Sequence, residues 1–402
     1  MADNRELSLL TTHSKTADTL AHARRHANRK KFDEFLIVDI DAHVRETLFW
    51  DEVSDRIRSD VWRYNAKSFK ERGGAGLSNA QPGLTYQDLF GRVPHGSALK
   101  ERTEAEDGHN QVALARRAMD AMGIDYMTIF PTPMLTLGLH PQPEVEVELA
   151  WAYNRWLTEV ILPDAPSLLG LLYLPFNTPD ALPSFVEEFA DKKGVIGFTV
   201  TSTRHRPVHH NSYMRLYAML EERGLPMTFH AGLQWEDGSM AQLNRFLSMH
   251  ALSFVHFNLV HLTNWIINGL PERFPKLPVL WIESGLAWLP YLMQRLDSEY
   301  MMRTSEAPLL KRKPSEYIRE MYFSSQPIEL HHMKLVEATF EAINAETQLL
   351  YASDWPHWDF DTPSTIYDLP FLNEKQKRNI LGGNAARLFK LQDKYQAKAA
   401  AE

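Results

Sequence analysis

The stretch "LIVDIDAHVRE" at residues 36–46 decides the fold and points to the functional site. It begins as a short apolar strand and ends in five ionisable residues: Asp39, Asp41, His43, Arg45 and Glu46. Because burying unpaired charge is costly, a strand of this kind needs compensation. Either a salt-bridge network or a metal ion could compensate the charge, and the rest of the sequence has to decide between them.

Composition narrows the class of protein. The chain has 402 residues, 44% of them hydrophobic, which is enough for a large core. A net charge of −8 argues against a general nucleic-acid partner, and the lack of cysteine excludes disulfides and thiolate chemistry. No segment is apolar enough for a signal peptide or a membrane span. We therefore expect a cytoplasmic protein with a small-molecule substrate and no membrane or nucleic-acid partner.

Eight short apolar runs alternate with longer amphipathic segments. They lie at 36–41, 126–131, 168–175, 194–201, 226–231, 279–284, 320–325 and 348–353. Nearly continuous apolar runs are typical of strands covered on both faces, as in a parallel sheet wrapped by helices. The pattern predicts an α/β fold, a (β/α)8 TIM-like barrel. An open doubly wound sheet is the alternative, but no glycine-rich phosphate turn follows any strand.

Two regions interrupt this alternation. Residues 1–35 are polar and basic and are expected to form an N-terminal arm outside a barrel of residues 36–391, with 392–402 as a tail. Residues 47–125 are too long for one connection and contain a loop rich in Gly, Pro and Asn at 73–96. An insertion after the first strand is expected to act as a partial lid over the barrel mouth. A surface excursion or an oligomer contact is the alternative.

Metal-type ligands follow four of the predicted strands. Asp41 and His43 end the first, His230 the fifth, Glu283 the sixth and Asp354 the eighth. Alternate residues of a strand point to the same side, and the carboxyl ends of barrel strands form one ring. Each residue alone is more simply a cap or a satisfied core group, but together they favour a site for one divalent metal ion, Zn²⁺ or Mn²⁺. Asp39, Arg45 and Glu46 are then assigned to supporting the ligands.

Several motifs resemble the amidohydrolase superfamily, in particular the branch named for aminocarboxymuconate-semialdehyde decarboxylase. They are "DIDAH", "TFHAG", "LPERFPKLPVLWIESGLAWLPYLMQRLD", "LLYASDWPH" and "ILGGNAARLFKL", in register from about residue 36 to 391. The resemblance implies a distorted barrel with one metal ion, held by Asp41, His43, His230 and Asp354, and a homodimer. Decarboxylases of this branch usually have Gly-His on strand six, where this chain has Ile282-Glu283.

The substrate pocket is expected to use residues near the same strand ends. Arg204 could bind a carboxylate, and His357 could contact a metal ligand or the substrate. Phe130, Trp288 and Trp355 would form an aromatic wall suited to a ring. The alternatives are a solvated loop for Arg204, a structural role for His357 and plain core for the aromatic residues.

The leading hypothesis from the sequence is a metal-dependent hydrolase that acts on an aromatic or ring-cleavage-derived carbonyl compound. In it Asp354 or Glu283 accepts a proton from metal-activated water, and His230 completes the catalytic set. The reason is charge: with Glu283 ionised the site is net negative and repels a substrate carboxylate. The alternatives are a nonoxidative decarboxylase of an aromatic or enolic acid, with Asp354 as proton donor, and a non-catalytic binding protein.

Overall fold

The computed structural model describes residues 15–71, 108–201, 206–233, 237–243, 245–357 and 359–392. Within these residues eight parallel strands form one sheet, each paired with the next along the chain. The strands are β1 Val38–Val44, β2 Tyr126–Pro131, β3 Leu168–Tyr173, β4 Val195–Thr201, β5 Met227–His230, β6 Val279–Ile282, β7 Tyr322–Ser324 and β8 Leu349–Leu350. The (β/α)8 barrel predicted from the sequence is confirmed, and each strand lies within or overlaps its predicted run.

The sheet closes where the segment after β8 meets β1. The Ile40 amide donates to the Tyr351 carbonyl at 3.0 Å, and the His43 amide donates to the Trp355 carbonyl at 2.6 Å. Ala42 and Trp355 form a parallel bridge between these bonds. The chain on one side of this junction carries Asp41 and His43, so closure of the barrel and construction of the site share the same residues.

Helices surround the sheet and connect its strands. They are α1 Thr16–Lys30, α2 Trp50–Ser54, α3 Asp60–Glu71, α4 Asn110–Met122, α5 Pro143–Trp156, α6 Leu182–Phe189, α7 Met214–Arg223, α8 Phe246–Ile267, α9 Leu270–Arg273, α10 Trp288–Met302, α11 Pro314–Ile318, α12 Met333–Ala342, α13 Ala345–Gln348, α14 Ser364–Tyr367, α15 Glu374–Arg378 and α16 Asn384–Phe389. Gly224 caps α7 with φ of 62°.

The barrel interior is packed with apolar side chains rather than open. One buried cluster draws residues from six strands: Ile40, Phe130, Leu169, Ile196, Leu280 and Leu350. Side chains from strands on all sides of a sheet can meet in one cluster only inside a closed barrel. The candidate site lies above this packed interior, at the carboxyl ends of the strands.

The segments outside the barrel are described in part. In the proposed N-terminal arm, α1 packs against α4. Lys30, the last residue of α1, forms an ion pair with Asp368. The predicted insertion contributes α2, α3 and α4, whereas residues 72–107, with the 73–96 loop, lie outside the described residues. The same holds for 393–402 of the tail. The domain boundaries and the lid remain predictions.

Candidate metal centre

The five predicted ligands come together in the folded chain. Asp41, His43, His230 and Glu283 are all buried, and each offers one ligand atom within 4.8 Å of those of the other three. Asp354 joins them through His43, with 3.1 Å between Asp354 Oδ1 and His43 Nε2. Residues separated by more than 300 positions meet because the carboxyl ends of barrel strands form one ring.

The two histidines present the same nitrogen to the centre. His43 Nδ1 lies 3.0 Å from the Pro131 carbonyl, and His230 Nδ1 lies 2.9 Å from the Ala231 carbonyl. A carbonyl accepts only, so each Nδ1 carries the proton and donates. Each Nε2 then faces Asp41 Oδ1 at 3.3 Å. Two acceptors at this distance need a positive charge between them, either a proton or a metal ion.

Charge in the cluster favours the metal ion. Burial disfavours a charged imidazole, yet the carboxylates of Asp354 and Asp41 raise the pKa of His43 to about 10. Burial, together with neighbouring carboxylates, raises the pKa of Glu283 well above its usual value. The site therefore attracts cations at Nε2 and holds more carboxylate charge than its imidazoles can compensate.

Unpartnered oxygens support the same conclusion. Asp41 Oδ2, Glu283 Oε2 and Asp354 Oδ2 are buried without a hydrogen bond to any residue the structure describes. Buried polar atoms are rarely left in this state, because the loss of hydration is not repaid. Imidazole nitrogens and carboxylate oxygens in one cluster are a donor set that zinc and manganese both accept. The residues present thus fit one divalent metal ion.

Two of the five residues have strained backbones. Glu283 has φ of 57° and Asp354 has φ of 61°, in the left-handed region that residues with a Cβ rarely adopt. The Glu283 amide donates to Ser324 Oγ at 2.9 Å, and the Asp354 amide donates to the Asp41 carbonyl at 2.7 Å. These bonds hold both carboxylates at the mouth, and such strain is characteristic of functional sites.

Asp39 and Glu46, which were expected to support the ligands, make buried contacts that the sequence does not reveal. Asp39 accepts from the Ser353 amide at 2.9 Å and from Ser353 Oγ at 2.5 Å, which fixes the residue before Asp354. Glu46 accepts from the backbone amides of Thr132 (3.0 Å) and Met134 (2.7 Å), which anchors the turn after β2. Arg45 directly follows β1 and is exposed, and its support of the ligands remains a prediction.

The predicted substrate residues fall into two groups. Phe130 and His357 border the centre: the Phe130 ring lies 4.8 Å from that of His230, and the His357 ring stacks on His43 at 4.2 Å. His357 Nδ1 also lies 2.7 Å from Asp354 Oδ1, while its Nε2 lies 3.3 Å from Thr132 Oγ1. His357 therefore contacts Asp354, one of the candidate metal ligands.

Of the remaining three residues, two are buried tryptophans and one is not described. Trp288 is buried at the start of α10 and donates to the Gly285 carbonyl at 3.0 Å. Trp355 is buried and packs edge-on against Phe360, 4.8 Å away. Arg204 lies outside the described residues. The role of all five residues in substrate binding remains a prediction.

A buried cluster of metal-type ligands at the mouth of a (β/α)8 barrel is typical of metal-dependent barrel enzymes. Residues 38–391 match the amidohydrolase family. The chain belongs to this family, as the sequence motifs indicated.

Similar proteins agree with this assignment. Gamma-resorcylate decarboxylase of Rhizobium sp. strain MTP-10005 is 24% identical over 317 residues, which cover 76% of this chain and 94% of the relative. The structure of 5-carboxyvanillate decarboxylase from Sphingomonas paucimobilis aligns with a TM-score of 0.62 at 20% identity, covering 89% of this chain and all of that one. A dihydroxybenzoic acid decarboxylase from Polaromonas sp., with bound manganese and 2-nitroresorcinol, aligns with a TM-score of 0.62 at 18% identity, covering 89% and 97%.

These relatives overturn the leading hypothesis from the sequence, which was a hydrolase. They are named decarboxylases, the activity held as the alternative. The charge argument counted Glu283 as ionised and did not include burial and the neighbouring carboxylates, which raise its pKa well above the usual value.

The described part of the chain also contains no helix long and apolar enough to cross a membrane. The expected homodimer and the cytoplasmic location remain predictions.

Proposed function

We propose that this protein is a metal-dependent, nonoxidative decarboxylase of an aromatic acid. The observation that carries the proposal is the buried cluster of Asp41, His43, His230, Glu283 and Asp354, whose donor atoms converge at the barrel mouth. The names of the relatives supply the reaction: they act on gamma-resorcylate and on 5-carboxyvanillate.

The roles of the residues follow from their positions. Asp41, His43, His230 and Asp354 would hold the metal ion, and Glu283 would complete or border its coordination. When bound, the ion would act as a Lewis acid that fixes and polarises an acidic substrate. The edge of the centre is apolar where Phe130 packs against His230, which suits an aromatic ring.

Asp354 is the proton carrier in this proposal. Asp354 takes a proton from water and passes it to the ring carbon that bears the carboxylate. The bond between that carbon and the carboxylate carbon then breaks, its electron pair returns to the ring, and CO₂ leaves. Asp354 Oδ2 has no hydrogen-bond partner among the described residues, and Oδ1 is held by His357 at 2.7 Å. One oxygen is thus positioned while the other is free to serve the substrate.

The experiment supplies manganese-loaded protein with hydroxylated aromatic acids, including 2,6-dihydroxybenzoate and 5-carboxyvanillate, and measures CO₂ release. In D₂O the product should carry deuterium on the carbon that lost the carboxylate. Asp354→Asn should lower kcat by about 10²-fold or more, the usual scale for a proton-transfer group. Asp180→Asn, a matched change at an exposed site, should leave it unchanged. No CO₂ release from any acid by the metal-loaded protein would refute the proposal.

A further inference from the structure

Two side chains beside the centre have acceptor oxygens that neither the fold nor the proposed metal site uses. Gln326 follows β7 and is 1% exposed; its Nε2 donates to the Asp359 carbonyl at 3.5 Å, which orients the amide. Its Oε1 is buried without a hydrogen-bond partner in the described part of the chain. Asp359, in the segment after β8, has Oδ1 in the same state.

Both residues lie on the side of the centre formed by β6, β7 and β8. Ser324 Oγ accepts from the Glu283 amide at 2.9 Å and lies 3.3 Å from the Gln326 carbonyl, so one hydroxyl joins the two segments. Asp359 is close enough to Asp354 and Glu283 for the carboxylates to influence one another. Gln326 and Asp359 are therefore joined to the segments that carry Glu283 and Asp354.

The two oxygens require hydrogen-bond donors. The Gln326 amide oxygen is an acceptor, and its only donor atoms, on Nε2, are already turned toward the Asp359 backbone. A phenolic hydroxyl has one hydrogen and can satisfy one of the two oxygens. An amino group has two N–H bonds and can satisfy both.

We propose that Gln326 Oε1 and Asp359 Oδ1 bind the amino group of an aminoaromatic acid, which makes amino-substituted benzoates the preferred substrate class. This inference rests on the proposed function for the reaction, but binding tests it independently. A site built to receive N–H donors discriminates strongly against an analogue that lacks them, because its buried acceptors are then left unpaired.

The test compares matched pairs of acids on manganese-loaded protein: 2-, 3- and 4-aminobenzoate against the corresponding hydroxybenzoates. Dissociation constants are measured by titration calorimetry and kcat/KM by CO₂ release. In at least one pair the aminobenzoate should bind at least about 10-fold more tightly than the hydroxybenzoate. Equal or weaker binding of the amino member in all three pairs overturns the inference. If CO₂ release fails for every acid, the proposed function is wrong, while an amino preference in binding still supports this site.

Variants of Gln326 test the contribution of its Oε1 to the preference. Gln326→Met keeps the length of the side chain and removes Oε1, so it should reduce the preference for the amino member at least about 10-fold. Gln326→Glu keeps an acceptor and should retain it, which separates loss of the acceptor from loss of structure. Gln348→Met is the matched control, because Gln348 precedes β8 at the opposite end of the barrel, where its amide donates to the Met321 carbonyl. An unchanged preference in Gln326→Met would also overturn the inference.

Discussion

Binding of manganese should stabilise the folded protein measurably, and Asp41→Asn should abolish most of the effect. Asp41 lies at the middle of the cluster, with one oxygen 3.3 Å from both imidazole nitrogens. Asparagine keeps its shape but removes the charge that attracts the ion. At a free manganese concentration of about 100 times the dissociation constant, a ligand that binds only the folded state contributes about 2.7 kcal/mol. Unfolding entropy of roughly 2.1 cal/mol/K per residue converts this, over 402 residues, into a rise in Tm of about 3 °C.

The assay is thermal unfolding of protein treated with chelator, with and without added manganese, together with elemental analysis of protein purified without chelator. Wild-type protein should contain about one divalent ion per chain and show the full shift in Tm. Asp41→Asn should lose most of the shift, and Asp180→Asn should keep it. Equal Tm values for wild-type protein with and without manganese, combined with negligible metal content, would refute the assignment of a metal centre.

Three further predictions concern the scaffold around the centre. Burial raises the pKa of the Glu46 carboxyl from 4.5 to about 7, so the folded state binds this proton more tightly than the unfolded chain. The resulting stability is fully present below pH 4.5 and is lost as the pH rises to about 7, by roughly 3 kcal/mol; denaturant unfolding at several pH values should show a flatter profile for Glu46→Gln. Gly382→Ala would place a Cβ 2.2 Å from the Leu36 carbonyl oxygen and should cost about 1–3 kcal/mol of stability, whereas Gly238→Ala, with nothing within 4 Å, should be close to neutral; a similar Tm for both would contradict this. Ser353→Ala removes a buried hydroxyl that bonds across the barrel junction and should cost about 2 kcal/mol in the same unfolding assay, a prediction that an unchanged midpoint would exclude.

The fold could be predicted from the sequence because the same pattern of strand followed by helix recurs along the chain. Each strand from β1 to β8 is a nearly continuous apolar run, and the alternation with helices leaves few topologies. Three of the candidate ligands could also be predicted from the sequence. Asp41, His43 and His230 lie within or at the end of strands whose direction sets their position. Glu283 and Asp354 follow strands and depend on a left-handed turn, so their proximity to the others rested on the barrel rather than on local pattern.

What the sequence could not supply was pairing between distant positions. Asp39 could be suspected of supporting the ligands, but its partner Ser353 lies more than 300 residues away, and no periodicity links them. The orientation of Gln326 depends on a carbonyl in another segment and could not be predicted either. The choice of a hydrolase failed for a related reason: it needed the ionisation of Glu283, which depends on burial and on neighbouring carboxylates.

The junction between β1 and the segment after β8 has a consequence for how the protein is made. Synthesis begins at the amino end, so Asp41 and His43 emerge from the ribosome long before Asp354, the residue whose amide bonds to the Asp41 carbonyl at 2.7 Å. Until that last segment docks, the first strand has an open edge and the ligand set lacks a carboxylate. Metal uptake should therefore be among the latest events of maturation, and a nascent chain that stops short of residue 354 should hold the ion poorly. Incorporation of manganese would then report completion of the whole barrel rather than of any one part of it.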